Sequence, residues 1–115
     1  MPMMFFGNFP LIEFFNAVTG LDLDIAEALT AGARIQTLRQ CFNLREGIQP
    51  SDVKLPKRMA GNPPQTEGPV ADITLDMDSL AQEYRQAMGW DPQNGRANSV
   101  TLDKLGLTDL VKTFG

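Results

Sequence analysis

Five of the seven phenylalanines, Phe5, Phe6, Phe9, Phe14 and Phe15, fall within the first fifteen residues, alongside Met1, Met3, Met4, Leu11 and Ile12. That crowding constrains the fold more than any other feature, because burying each such side chain is favourable by roughly 1.5–3 kcal/mol. Pro10 suits the first turn of a helix, where its missing N–H is harmless. The pattern predicts a helix from Pro10 to about Thr19, stopped at Gly20 by a left-handed cap. Its apolar residues Leu11, Ile12, Phe14, Phe15, Ala17 and Val18 wrap nearly the whole circumference. A helix apolar on every side requires burial on every side. A chain of 115 residues offers little room for that.

The longest element follows. Asp22 or Asp24 caps a helix running from about Asp24 to Arg45 and closed by Gly47, with both carboxylates at the positive end of the dipole. Ile25, Ala28, Leu29, Gly32, Ile35, Leu38 and Phe42 share one half of its wheel and form the expected core face. Arg39, Asn43 and Glu46 interrupt that face at i, i+4 and i+7. They read either as a helix end emerging from the core with an internal ion pair, or as a polar stripe meant for another part of a larger protein.

The stretch from Gly47 to Ile73 holds Pro50, Pro56, Pro63, Pro64 and Pro69 with Gly47, Gly61 and Gly68. It is a long connection expected to pack over a surface, with single helical turns at Ser51–Asp52 and Pro56–Ala60. Asp76 caps a helix from Met77 to Met88 with Met77, Leu80, Ala81, Tyr84 and Met88 at core spacing, ended by Gly89. Asn98 or Ser99 starts a short helix through Lys104, and Thr108 a last one ending near Phe114. Only Val70 to Leu75 marginally suggests a strand. The expected fold is all-α: an irregular bundle of about four to five helices with a Pro/Gly-rich connection, forming a single domain over residues 1–115.

Composition restricts the chemistry. Ten Lys and Arg against fourteen Asp and Glu give a net charge of −4, and the one basic cluster, Lys54, Lys57 and Arg58, is too small for a nucleic-acid face. With no histidine and one cysteine, the chain has no Ser-His or Cys-His pair, no imidazole ligand, no internal disulfide and no site built from several thiolates. The pairs Asp22/Asp24 and Asp76/Asp78 sit at helix starts, where capping accounts for them. The segment Asp91 to Asp103 fails the calcium-loop pattern because its sixth position is Arg96. Cys41, at the edge of the long helix's apolar arc, reads as a small core hydrophobe; nearby arginines leave a reactive thiol as the sharper alternative. No stretch suits a membrane span, and the composition fits a cytoplasmic protein.

Several segments in order carry a resemblance. Arg34 to Gly47 (RIQTLRQCFNLREG), Leu55-Pro56-Lys57-Arg58, Gly68-Pro69, Leu75 to Asp78 leading into Glu83-Tyr84-Arg85, Gly89-Trp90-Asp91, Gly95 and Leu102 to Leu107 form the series. Asn16 to Gly20 (NAVTG) precedes it. Together they resemble the C-terminal region of the tungsten-containing aldehyde:ferredoxin oxidoreductases. The resemblance implies an enzyme that oxidises aldehydes to carboxylic acids with a tungsten bis-pterin (a molybdopterin-type cofactor), passing electrons through a [4Fe-4S] cluster to ferredoxin. The family's cluster cysteines, catalytic acid and histidine lie upstream, so no catalytic, cofactor-binding or metal residue is assigned to this chain, and Cys41 receives no cluster role. The chain then reads as a truncated C-terminal domain, inactive alone, that helps enclose the cofactor and substrate cavity. Phe5, Phe6, Phe9, Phe14 and Phe15 are the expected contacts with the upstream domains. The alternative is a stand-alone helical interaction module that uses the same aromatic N-terminus to bind a partner or itself.

Overall fold

The computed structural model describes residues 10–114, the side chain of Phe114 excepted. Phe5, Phe6 and Phe9 therefore lie outside the described residues. Five helices follow in order: α1 (Leu11–Thr19), α2 (Ile25–Arg45), α3 (Met77–Ala87), α4 (Ser99–Lys104) and α5 (Val111–Phe114). Short 3-10 turns occupy Pro50–Asp52, Lys57–Ala60 and Thr108–Leu110. No strand forms among the described residues, and Val70 to Leu75 contributes only to the isolated bridge Gln65–Ala71. The all-α expectation holds.

Local chemistry sets these boundaries. Gly20 closes α1 in the left-handed conformation, its N–H donating to the Asn16 carbonyl. The Asn16 carboxamide then clamps the following turn: its Nδ2 donates to the Leu23 carbonyl at 2.9 Å and its Oδ1 accepts from the Leu23 N–H at 3.0 Å. Asp24 caps α2 reciprocally with Glu27, each carboxylate accepting the other's backbone N–H. Asp76 accepts from the Ser79 N–H at 3.1 Å and its hydroxyl at 2.7 Å to start α3. Asn98 accepts from the Thr101 N–H at 2.7 Å to start α4.

The core is small and lies where the middle of α2 meets residues 88–111. Cys41, Trp90, Ala97, Leu102 and Leu107 are buried together, with Met88, Leu105, Leu110 and Val111 packed against them. The Trp90 indole N–H donates to the Thr37 hydroxyl at 3.2 Å, so the ring enters the core without leaving its polar atom unpaired. Tyr84 meets the Trp90 ring edge-on at 5.8 Å. Gly89 enters this turn at φ 73°, and a side chain there would collide with Thr101, whose hydroxyl donates to the Gly89 carbonyl at 2.9 Å. The turn closes through Asp91 N–H to Arg96 carbonyl at 2.7 Å and Gln40 Nε2 to Gly95 carbonyl at 3.3 Å.

Three expectations about packing are corrected. The face of α2 expected inside points outward: Ile25 and Leu29 are each 69% exposed and Phe42 is 53% exposed. The buried residues of α2 are Thr37 and Cys41. On α3, Leu80 and Tyr84 are exposed and no residue is fully buried. The Pro/Gly-rich connection folds mainly on itself, through Leu75 N–H to Ala60 carbonyl at 2.8 Å and Thr74 hydroxyl to Gly61 carbonyl at 2.9 Å, and buries none of its residues.

These features leave an open shape. The radius of gyration is 18.0 Å, against about 13 Å for a compact domain of this length. The accessible surface is 9209 Å², against about 6,200 Å² for a folded monomer of this mass.

Candidate functional site

The feature that stands out chemically is an apolar surface, and the geometry of α2 shows how it arises. At about 100° per residue, Ala33, Thr37, Gln40, Cys41 and Leu44 share one side of the helix, and all are buried or half-buried. Ile25, Gly32, Ile35, Phe42 and Leu38 occupy the other side and are exposed, with Ala28 and Asn43 half-buried among them; Leu29 lies at the boundary between the two sides and is exposed as well. The helix thus carries two faces able to pack, and the chain's own core uses the narrower one.

Helix α1 repeats the arrangement. Ile12 and Asn16 face inward, half-buried over the turn to α2. Leu11, Phe14, Phe15 and Val18 point outward, with Phe14 at 55% and Val18 at 86% exposure. No residue of α1 is buried. Of the five phenylalanines expected at an interface, the two described ones therefore lie on the outward side. Exposed large apolar side chains therefore occur on both α1 and α2.

Polar groups interrupt the surface at one place. Leu38, Arg39, Phe42 and Asn43 line a shallow depression near the C-terminal end of α2. Arg45, on the same turn as Phe42, is engaged: it holds Glu46 at 2.9 Å and its guanidinium lies 4.9 Å from the Phe42 ring centre. Glu46 thus pairs with its neighbour and not with Arg39. A second feature is an open groove of about 1000 Å³ between α2, α3 and the connection, bordered by Gln40, Leu55, Met77, Tyr84, Arg85 and Trp90 among others. Arg85 is anchored there, donating to the Pro92 carbonyl at 2.7 Å.

The remaining candidates resolve into structure. Cys41 is 1% exposed, and burial raises its thiol above the ordinary value of 9.0, which disfavours a thiolate. Asp91 accepts the Gln93 and Asn94 N–H groups, and these bonds hold its carboxyl below the usual aspartate range. Asp76 is lowered in the same way by Ser79. The described residues do not fit a metal cluster: no three of their Asp, Glu or Cys side chains converge, and the single thiol is enclosed in the core. Among the described residues no helix is long and apolar enough to cross a membrane.

Sequence reasoning did not anticipate the Thr37–Trp90 pair. The available signal was the lone tryptophan itself, since a buried indole needs an acceptor and Thr37 supplies a hydroxyl on the narrow face of α2.

The chain is similar to known proteins over most of its length. The family model described as "Aldehyde ferredoxin oxidoreductase, domains 2 & 3" matches residues 6–107. The tungsten-containing aldehyde ferredoxin oxidoreductase of Pyrococcus furiosus is 31% identical over 98 residues, covering 84% of this chain and 16% of that protein. Those of Pyrococcus abyssi and Thermococcus kodakarensis are 30% and 29% identical over 100 residues, covering 86% of this chain and 16% of theirs. The chain thus spans about one sixth of the length of these relatives. No solved structure matches significantly.

Proposed function

The chain belongs to the aldehyde ferredoxin oxidoreductase family, and on that premise we propose that it is the helical C-terminal domain of a cytoplasmic, tungsten-containing, aldehyde-oxidising enzyme. Its role is to dock on the upstream domains and to close one side of the cavity that holds cofactor and substrate. The whole enzyme converts an aldehyde to a carboxylic acid and passes the electrons to ferredoxin, chemistry that a tungsten bis-pterin and a [4Fe-4S] cluster supply when bound. Their ligands belong to the upstream domains, because the donor set of the described residues does not fit them. By itself the chain carries no turnover.

The observation that supports this reading is the outward apolar side of α1 and α2, opposite the side that forms the core. The accessible surface exceeds that of a compact monomer by about 3,000 Å². That excess belongs to the whole chain, and the exposed apolar residues of α1 and α2 contribute to it. Closing a cavity excludes water, which strengthens the electrostatics inside and limits side reactions.

The test is co-expression of the chain with the upstream polypeptide of the same enzyme. Tungsten and iron content per upstream polypeptide, and aldehyde oxidation, are expected to rise well above those of the upstream polypeptide expressed alone. Equal cofactor content with and without the chain would sink the docking role. A chain that sediments as a self-association through α1 and α2 and ignores the upstream polypeptide would establish the interaction-module alternative instead.

A further inference from the structure

We infer that Arg39, with Asn43 beside it, is the polar lock of this docking surface and receives a carboxylate of the upstream domains; the inference rests on the docking proposed above. Arg39 and Asn43 stand at i and i+4 within the outward apolar side of α2, and share their depression with Leu38 and Phe42. Among the described residues, Arg39 has no hydrogen bond or ion pair, and neither has the Asn43 side chain. The contrast with Arg45 is direct, since that guanidinium is already held by Glu46 and covers Phe42 at the margin. The chain satisfies the marginal arginine internally and leaves the central one open.

Docking changes what Arg39 requires. Covering the apolar side of α2 strips water from the guanidinium, and an unpaired charge buried in this way costs several kcal/mol. Arginine cannot escape by losing its proton, since its pKa stays above about 12. The covering surface must therefore bring a negative acceptor. A carboxylate fits the planar fork with two parallel N–H···O bonds, and the Asn43 carboxamide adds a further donor alongside. The occupant follows from proportion: the match covers only 16% of the relatives, so more than four fifths of their length lies outside it and is available to cover this face.

The experiment uses the complex of this chain with the upstream polypeptide, formed by co-expression so that neither part must fold alone. The apparent dissociation constant is measured by dilution at low and high salt for the wild type, Arg39→Met, Arg39→Lys, Arg39→Glu and Leu29→Asp. Circular dichroism and Trp90 fluorescence confirm that each variant keeps its fold. Arg39→Met is expected to weaken the complex about 30-fold or more, the scale of truncating a buried charged pair. Arg39→Lys should recover part of the loss, Arg39→Glu should lose more, and the salt dependence of the wild type should flatten in Arg39→Met. If Leu29→Asp weakens the complex while Arg39→Met matches the wild type, the lock is overturned and the docking stands. If Leu29→Asp also matches the wild type, the docking fails and the lock with it. Self-association through α2 in place of the complex overturns both.

Discussion

Two halves of α2 belong to different kinds of structure. Its C-terminal half, through Thr37 and Cys41, packs against Trp90, Ala97, Leu102 and Leu107 in a core with a satisfied indole. Its N-terminal half and α1 form an arm whose polar contacts are local, the Asn16 clamp and the Asp24–Glu27 box, and whose large side chains face out. One half is held by tertiary burial, the other by capping and backbone hydrogen bonds. Helices of the arm's kind gain most of their stability from packing an apolar face, so the arm is expected to tighten when its face is covered. An apolar sequence therefore does not by itself identify which residues form a chain's own core.

The contrast is open to direct attack by substitution in the isolated chain. Trp90→Ala is expected to destabilise the C-terminal unit by about 3–5 kcal/mol, while Leu29→Ala on the arm stays within about 0.5 kcal/mol. Urea unfolding followed by far-UV circular dichroism measures both, and equal losses would erase the distinction. Thr37→Val keeps the volume but removes the acceptor of the indole N–H, with an expected cost of about 1–3 kcal/mol. The same titration reads it, and Thr37→Ser should restore most of the loss. On the arm, Asp24→Ala removes one side of the capping box and should cost about 1 kcal/mol, seen as reduced helicity without a change in Trp90 fluorescence.

The smallest effect concerns acid. Asp76 and Asp91 both have carboxyls held below the ordinary value of 3.8 by hydrogen bonds they accept in the fold. Their stabilisation is fully present above that value and is lost as the pH falls through their lower folded values. Urea midpoints compared at pH 7, 4 and 3 should fall most steeply between the last two, and Asp91→Asn should make that fall shallower. Both residues border the C-terminal unit, so Trp90 fluorescence should report the loss.

Much of the local structure was legible in the residues. The helix bounds at Gly20, Asp24, Arg45, Asp76 and Lys104 follow from capping chemistry, because a cap involves residues two to four apart and no distant partner. Cys41 is buried as expected, but together with Thr37 and not with the apolar arc that suggested it. The packing was not readable in the same way. Periodicity shows that Ile25, Leu29, Ile35 and Phe42 lie together, but not whether their neighbour belongs to this chain or to another domain. The polar interruption at Arg39 and Asn43 was visible from spacing, and the structure adds that Glu46 pairs with Arg45 rather than with Arg39.

The sequence alone determined an all-α chain, its helix starts and stops, the absence of histidine chemistry and a resemblance carried by ordered local motifs. These rest on short-range sterics, capping and composition, which act before any fold exists. Only the tertiary structure decided which side of α2 is core, that Trp90 finds its acceptor in Thr37 across 53 residues, and that the aromatic arm faces outward. Such choices depend on which surfaces meet, and among the described residues most large side chains of the broad apolar side of α2 stay exposed.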